Sequence, residues 1–115
     1  MMYVPFGSIQ DAENTIQKLL NKKLIACGNI VASQSLYFWQ ENMSNESEWI
    51  ALIKSKVDLK KLLEAEITKI HPYQVPAILS WRVGCNEAYF DWVSSQVITE
   101  ETATLSKSRP LYNAI

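Results

Sequence analysis

The sequence predicts an α+β domain of ferredoxin-like βαββαβ order, with a long central hairpin and an extra C-terminal helix. Three observations carry this. Apolar residues recur at helical spacing over residues 9–20 and 59–70, each run flanked by short strand-forming stretches. Two strand-forming runs follow one another between those helices. The stretch His71-Pro72-Tyr73-Gln74-Val75-Pro76 stops the second helix and turns the chain into a last apolar run.

The elements follow in order. Tyr3 to Phe6 is a short strand, placed at an edge or a strand end by Pro5. Gly7 breaks it, and Ser8 is an N-cap with Asp11 three residues on. Ile9, Ala12, Ile16, Leu19 and Leu20 form the buried stripe of the first helix, which Asn21-Lys22-Lys23 closes with positive charge. Residues 24–31 are compact and apolar and read as a buried strand or its lead-in, with Gly28 permitting a close approach. Ser33 and Ser35 interrupt, and Leu36-Tyr37-Phe38-Trp39 is strongly strand-forming. Residues 41–46 read as a projecting polar turn, and residues 48–54 as the returning strand. Asp58 is a candidate cap for the second helix, whose stripe is Leu59, Leu62, Leu63, Ile67 and Ile70. A strand is expected over residues 77–83, then a turn, then a third helix capped by Asn86 and buried through Ala88, Trp92, Val93 and Val97. Residues 1–98 thus form one domain, and residues 99–115 a tail that packs locally or on a neighbouring subunit.

Composition narrows the function. Apolar residues make up 48% of the 115 residues, enough for a core of ordinary density. The formal net charge is −1 with no basic block, which argues against nucleic acid or an anionic membrane as partner. No apolar run approaches the roughly 20 residues of a spanning helix, and the N-terminal residues do not read as a signal peptide, so a cytoplasmic protein is expected. Cys27 and Cys85 lack CxxC spacing and suit a reducing compartment. One face of the sheet has no helix to cover it, which makes Tyr37, Trp39 and Trp49 of the hairpin candidates for a subunit interface.

His71 is the only histidine. It reads either as a residue capping a helix C-terminus or as a ligand position, and one imidazole alone does not make a metal site. Cys27 reads as a small core residue or a soft ligand, and Cys85 as a more exposed thiol before a helix.

Four segments resemble the CutA family of divalent-cation tolerance proteins. They are Leu24-Ile25-Ala26-Cys27-Gly28-Asn29-Ile30, Ser35-Leu36-Tyr37-Phe38-Trp39, the corner His71-Pro72-Tyr73-Gln74-Val75-Pro76, and Ala88-Tyr89-Phe90-Asp91-Trp92. They occur in the family's order and span roughly residues 4–98. The resemblance implies a tight homotrimer with hairpins packed between subunits, similar in plan to PII-type signalling trimers. It implies an association with copper or other divalent cations and no established reaction. The site it suggests is metal at His71, with Cys27 as a further soft ligand and Tyr73, Asp91 and Glu87 as cleft residues. The chain departs from the family at Val4, where some members have cysteine, at Ile70, where some have histidine, at Ala77, where many have glutamate, and around Gln40-Glu41, where glycine is usual. A copper(II) site with one imidazole is then loose unless symmetry brings three copies together. The alternative is a PII-like trimer holding a small molecule or protein ligand in its subunit clefts. An acylphosphatase-type enzyme would need an arginine and an asparagine that Pro5-Phe6-Gly7-Ser8 does not supply.

Overall fold

The computed structural model describes residues 1–99, so the tail expected over residues 99–115 lies, past Thr99, outside the described residues. Strands β1 (Met2–Phe6), β2 (Cys27–Trp39), β3 (Asn42–Lys54) and β4 (Leu79–Ser80) form one antiparallel sheet in the order β2-β3-β1-β4. Helices α1 (Ile9–Asn21), α2 (Lys60–Ile70) and α3 (Glu87–Gln96) complete the chain, with a 3₁₀ turn at Val57–Leu59 ahead of α2. This is the expected ferredoxin-like order with its additional helix.

Alternation sets which face is core. Met2, Val4 and Phe6 of β1 stand opposite Ile53, Ala51 and Trp49 of β3 and point toward the helices. Leu19 of α1, Leu63 and Ile67 of α2, and Phe90 and Val93 of α3 close the core over them. Ser8 caps α1 as expected, its Oγ accepting from the Asp11 amide at 3.1 Å. The first two helical stripes hold at their centres, while Ile9 and Leu20 at the ends of α1 are exposed. In α3 the buried stripe is Phe90, Val93 and Val97 instead of one running through Ala88 and Trp92. Trp92 is 42% exposed. The Ile98 amide donates to the Lys23 carbonyl at 2.8 Å, which ties the end of α3 to the end of α1.

The hairpin departs most from expectation. Ser33 and Ser35 do not interrupt β2, and residues 42–46 are strand and not turn. The reversal is made by Gln40 and Glu41 alone, at φ 50° and 68°, between the paired residues Trp39 and Asn42. Two successive left-handed residues give the primed turn whose twist suits a hairpin. The sequence hides it, because such turns usually announce themselves by Asn-Gly or Asp-Gly.

Strand β4 is shorter than residues 77–83. It pairs Leu79 with Tyr3 and Ser80 with Met2, and the Trp81 amide then reaches the Met1 carbonyl at 3.1 Å. Met2 with Ser80 is the last strand pair at this end. In the other direction this register would set Ala77 against Pro5, which has no N–H to give. Asp58 makes no capping hydrogen bond; it lies within the 3₁₀ turn, 4.0 Å from the Lys56 ammonium. Asn86 occupies the N-cap position of α3 without a side-chain bond.

Candidate functional site

Pro72 ends α2 at His71, whose amide still donates to the Ile67 carbonyl at 2.8 Å. The imidazole is 8% exposed and stacks on Phe6, with ring centroids 4.4 Å apart and planes at 17°. Nε2 lies 2.7 Å from the Pro5 carbonyl, and the Tyr73 amide donates to Nδ1 at 3.1 Å. A carbonyl only accepts and an amide N–H only donates, so the partners fix the neutral imidazole with its proton on Nε2. Burial holds the imidazole below its ordinary pKa, against the smaller opposing effect of the Pro5 hydrogen bond. A metal ion at this ring would have to take Nδ1 from the Tyr73 amide.

His71 thereby holds the start of the loop that carries Tyr73. The Tyr73 ring passes over Gly7, where an added Cβ would stand 3.4 Å from the phenol oxygen. Its hydroxyl donates to Glu48 Oε2 at 2.6 Å. Glu48 is 6% exposed on β3, on the sheet face away from the helices, and among the described residues it has no ion-pair partner. Burial first, then the Glu48 hydrogen bond, raises the Tyr73 phenol far above its ordinary range.

A cleft of about 690 Å³ opens between this loop and the hairpin. Glu46 and Glu48 line it together with Tyr37, Trp39 and Tyr73, and no basic side chain does. Tyr37 is likewise raised above its ordinary pKa, by desolvation and by Glu46 and Glu48. The volume lies in the range of small-molecule sites.

Cys27, Glu87 and Asp91 lie outside this cleft. Cys27 opens β2, where the Lys54 ammonium approaches its sulfur at 3.6 Å and also bonds Asn29. Glu87 and Asp91 are exposed on α3, outside the lining of the cleft. Tyr37 and Trp39 face the cleft, whereas Trp49 points to the opposite face, opposite Phe6, and packs against the core of its own chain. Among the described residues no cluster of three or more His, Cys, Asp or Glu gathers in a metal-binding arrangement. No described helix is long and apolar enough to cross a membrane. Glu46 and Glu48 are not legible as site residues in the sequence. Their spacing of two on one strand is a signal, but only the true hairpin register turns both toward Tyr37 and the Tyr73 loop.

A ferredoxin-like sheet with helices on one face and a histidine-proline-tyrosine corner on its edge loop defines a small α+β domain. The match to known proteins is specific: residues 1–96 fit the family described as CutA1 divalent ion tolerance protein, and the chain belongs to that family. It is 34% identical over 94 residues to the divalent-cation tolerance protein CutA of Pyrococcus horikoshii, covering 81% of this chain and 92% of that one. The crystal structure of CutA1 from that organism superposes with a TM-score of 0.83 at 31% identity, over 85% of this chain and 97% of the other. The PII-like protein CutA from Nostoc sp. PCC 7120 shares the fold, with a TM-score of 0.79 at 21% identity, over 84% of this chain and 95% of that one.

Proposed function

We propose that the chain acts as a non-enzymatic, cytoplasmic, homotrimeric protein of divalent-cation tolerance. The observation that carries the assembly is the outer hairpin. Leu36, Phe38 and Met43 are 63%, 71% and 63% exposed on the helix side of the sheet, while Tyr37 and Trp39 are exposed on the other. Large apolar side chains thus stand exposed on both faces of the tip. Exposed apolar surface of this kind belongs to an interface, and three symmetric copies would enclose it.

Copper(II) or another divalent cation is the ligand that membership of the family suggests. One chain offers few donors: both His71 nitrogens are engaged and Cys27 lies beside a lysine. The corner would become a metal site only if assembly freed Nδ1 and symmetry added ligands. Copper(II) and zinc titration by calorimetry on the wild type and on His71→Ala, with light scattering on the same samples, tests this. Saturable binding to a trimer that vanishes in His71→Ala supports the corner as a metal site. A trimer that binds neither metal, or binds both regardless of His71, leaves the corner structural.

A second reading is favoured by the cleft. A cavity of about 690 Å³ beside a buried carboxyl group suits a small ligand held near the subunit boundary, in the manner of a binding or signalling trimer.

A further inference from the structure

Glu48 keeps only 6% of its surface in solvent, and among the described residues no cation is paired with it. The group bonded to its carboxylate is the neutral phenol of Tyr73. Burying a carboxylate without a countercharge is costly, and proteins avoid it unless a ligand or a function compensates. Glu46 lines the same cleft two residues away on the same strand face, and no lysine, arginine or histidine lines it at all. The cleft therefore concentrates negative potential, with no cationic side chain in its walls to balance it.

The walls say what kind of cation fits. A bare metal ion needs a tight shell of several oxygen, nitrogen or sulfur donors. Here the space is about 690 Å³, and Tyr37, Trp39 and Tyr73 line it with aromatic surface. Aromatic faces beside carboxylates attract ammonium groups through the ring quadrupole while covering an apolar body.

We propose that this cleft binds an organic ammonium, a protonated or quaternary amine carried on an apolar body, with the charge at Glu48 and Glu46 and the body against Tyr37, Trp39 and Tyr73. The proposal rests on the cleft reading above for its place and adds the ligand's chemistry. Tyr37 and Trp39 also belong to the proposed subunit contact, so the ligand would sit where neighbouring copies meet.

The test is calorimetric titration of the whole chain at pH 7 with phenethylammonium chloride and with benzyltrimethylammonium chloride. Neutral 2-phenylethanol serves as the uncharged control of similar shape. The expected result is saturable binding of at least one ammonium, none of the alcohol, and a loss of about tenfold or more in affinity in Glu48→Gln. Glu46→Gln, at an exposed position, should lose less and guards against a folding defect in the first variant. Circular dichroism checks both folds. Equal binding in Glu48→Gln, equal binding of the alcohol, or no ammonium binding would each overturn the proposal. Copper or zinc binding without ammonium binding would overturn it and leave the divalent-cation reading standing. Ammonium binding without metal binding would do the reverse, and light scattering on the same samples reports the assembly separately.

Discussion

His71 Nε2 sits 2.7 Å from the carbonyl oxygen of Pro5, 66 residues earlier in the chain. This one bond ties the end of α2 to the end of β1, and it does so through a residue that cannot use its own nitrogen for the ladder. The Pro5 carbonyl is thereby satisfied by a side chain, while the other ring nitrogen orders the loop through the Tyr73 amide.

The state of that ring sets a pH dependence. Burial lowers the folded pKa, so the folded chain resists protonation while the unfolded chain accepts a proton near the ordinary value of about 6.5. The unfolded state then binds more protons, and stability must fall as pH drops below about 6.5, levelling off once the folded ring also titrates. Urea midpoints measured from about pH 7 to about pH 5.5 should decline in the wild type and decline less in His71→Gln. Equal slopes would assign the dependence to another group.

Tyr73 and Glu48 can be separated by a pair of substitutions. Tyr73→Phe removes the donor and leaves a buried carboxylate oxygen without its bond, at a cost of about 1–3 kcal/mol. Glu48→Gln keeps an acceptor for the phenol and removes the buried charge, so its stability should match or exceed the wild type. Denaturant titration of the two variants and their double mutant gives the coupling. A harmless Tyr73→Phe would mean that water replaces the phenol at no loss.

Gly28 of β2 lies directly against Ile16 of α1. A Cβ there would stand 2.8 Å from Ile16 Cδ1 and 2.9 Å from Ile16 Cγ1. Ile16 is β-branched within a helix and has little rotamer freedom with which to yield. Gly28→Ala should destabilise by about 1–3 kcal/mol, and by less when combined with Ile16→Val. Chemical denaturation of the single and double variants checks both values.

Much of this was legible, and the rest had physical reasons not to be. The order of elements follows from helical spacing and from two prolines at a corner, and Ser8 can be read as a cap because a cap is local. What escapes the sequence depends on pairing. The primed turn at Gln40 and Glu41 lacks the residues that favour it, so composition points to a reversal several residues too late. The length of β4 depends on Pro5 in the opposing strand, which does not show in residues 77–83 themselves. Residue type groups Trp49 with Tyr37 and Trp39, yet register turns it to the other face.

The tip residues make the assembly testable by substitution. Trp39→Ala removes an indole that is 47% exposed in the single chain, so it should leave the monomer's fold intact while shifting sedimentation toward smaller species. An unchanged sedimentation profile would remove Trp39 from the interface.

The 13-residue strands of the hairpin rest on helices only in their inner half, from Cys27 to about Ala32 on one side and from Trp49 to Lys54 on the other. The outer half is a two-stranded ribbon, and ribbons of that kind are marginal in water on their own. Its amides from Ser33 to Trp39 should therefore exchange with solvent faster the nearer they lie to the tip, like a zipper fraying from its open end. Contact with neighbouring copies would abolish that gradient, so the exchange rates along a single strand record whether the molecule is alone or in company.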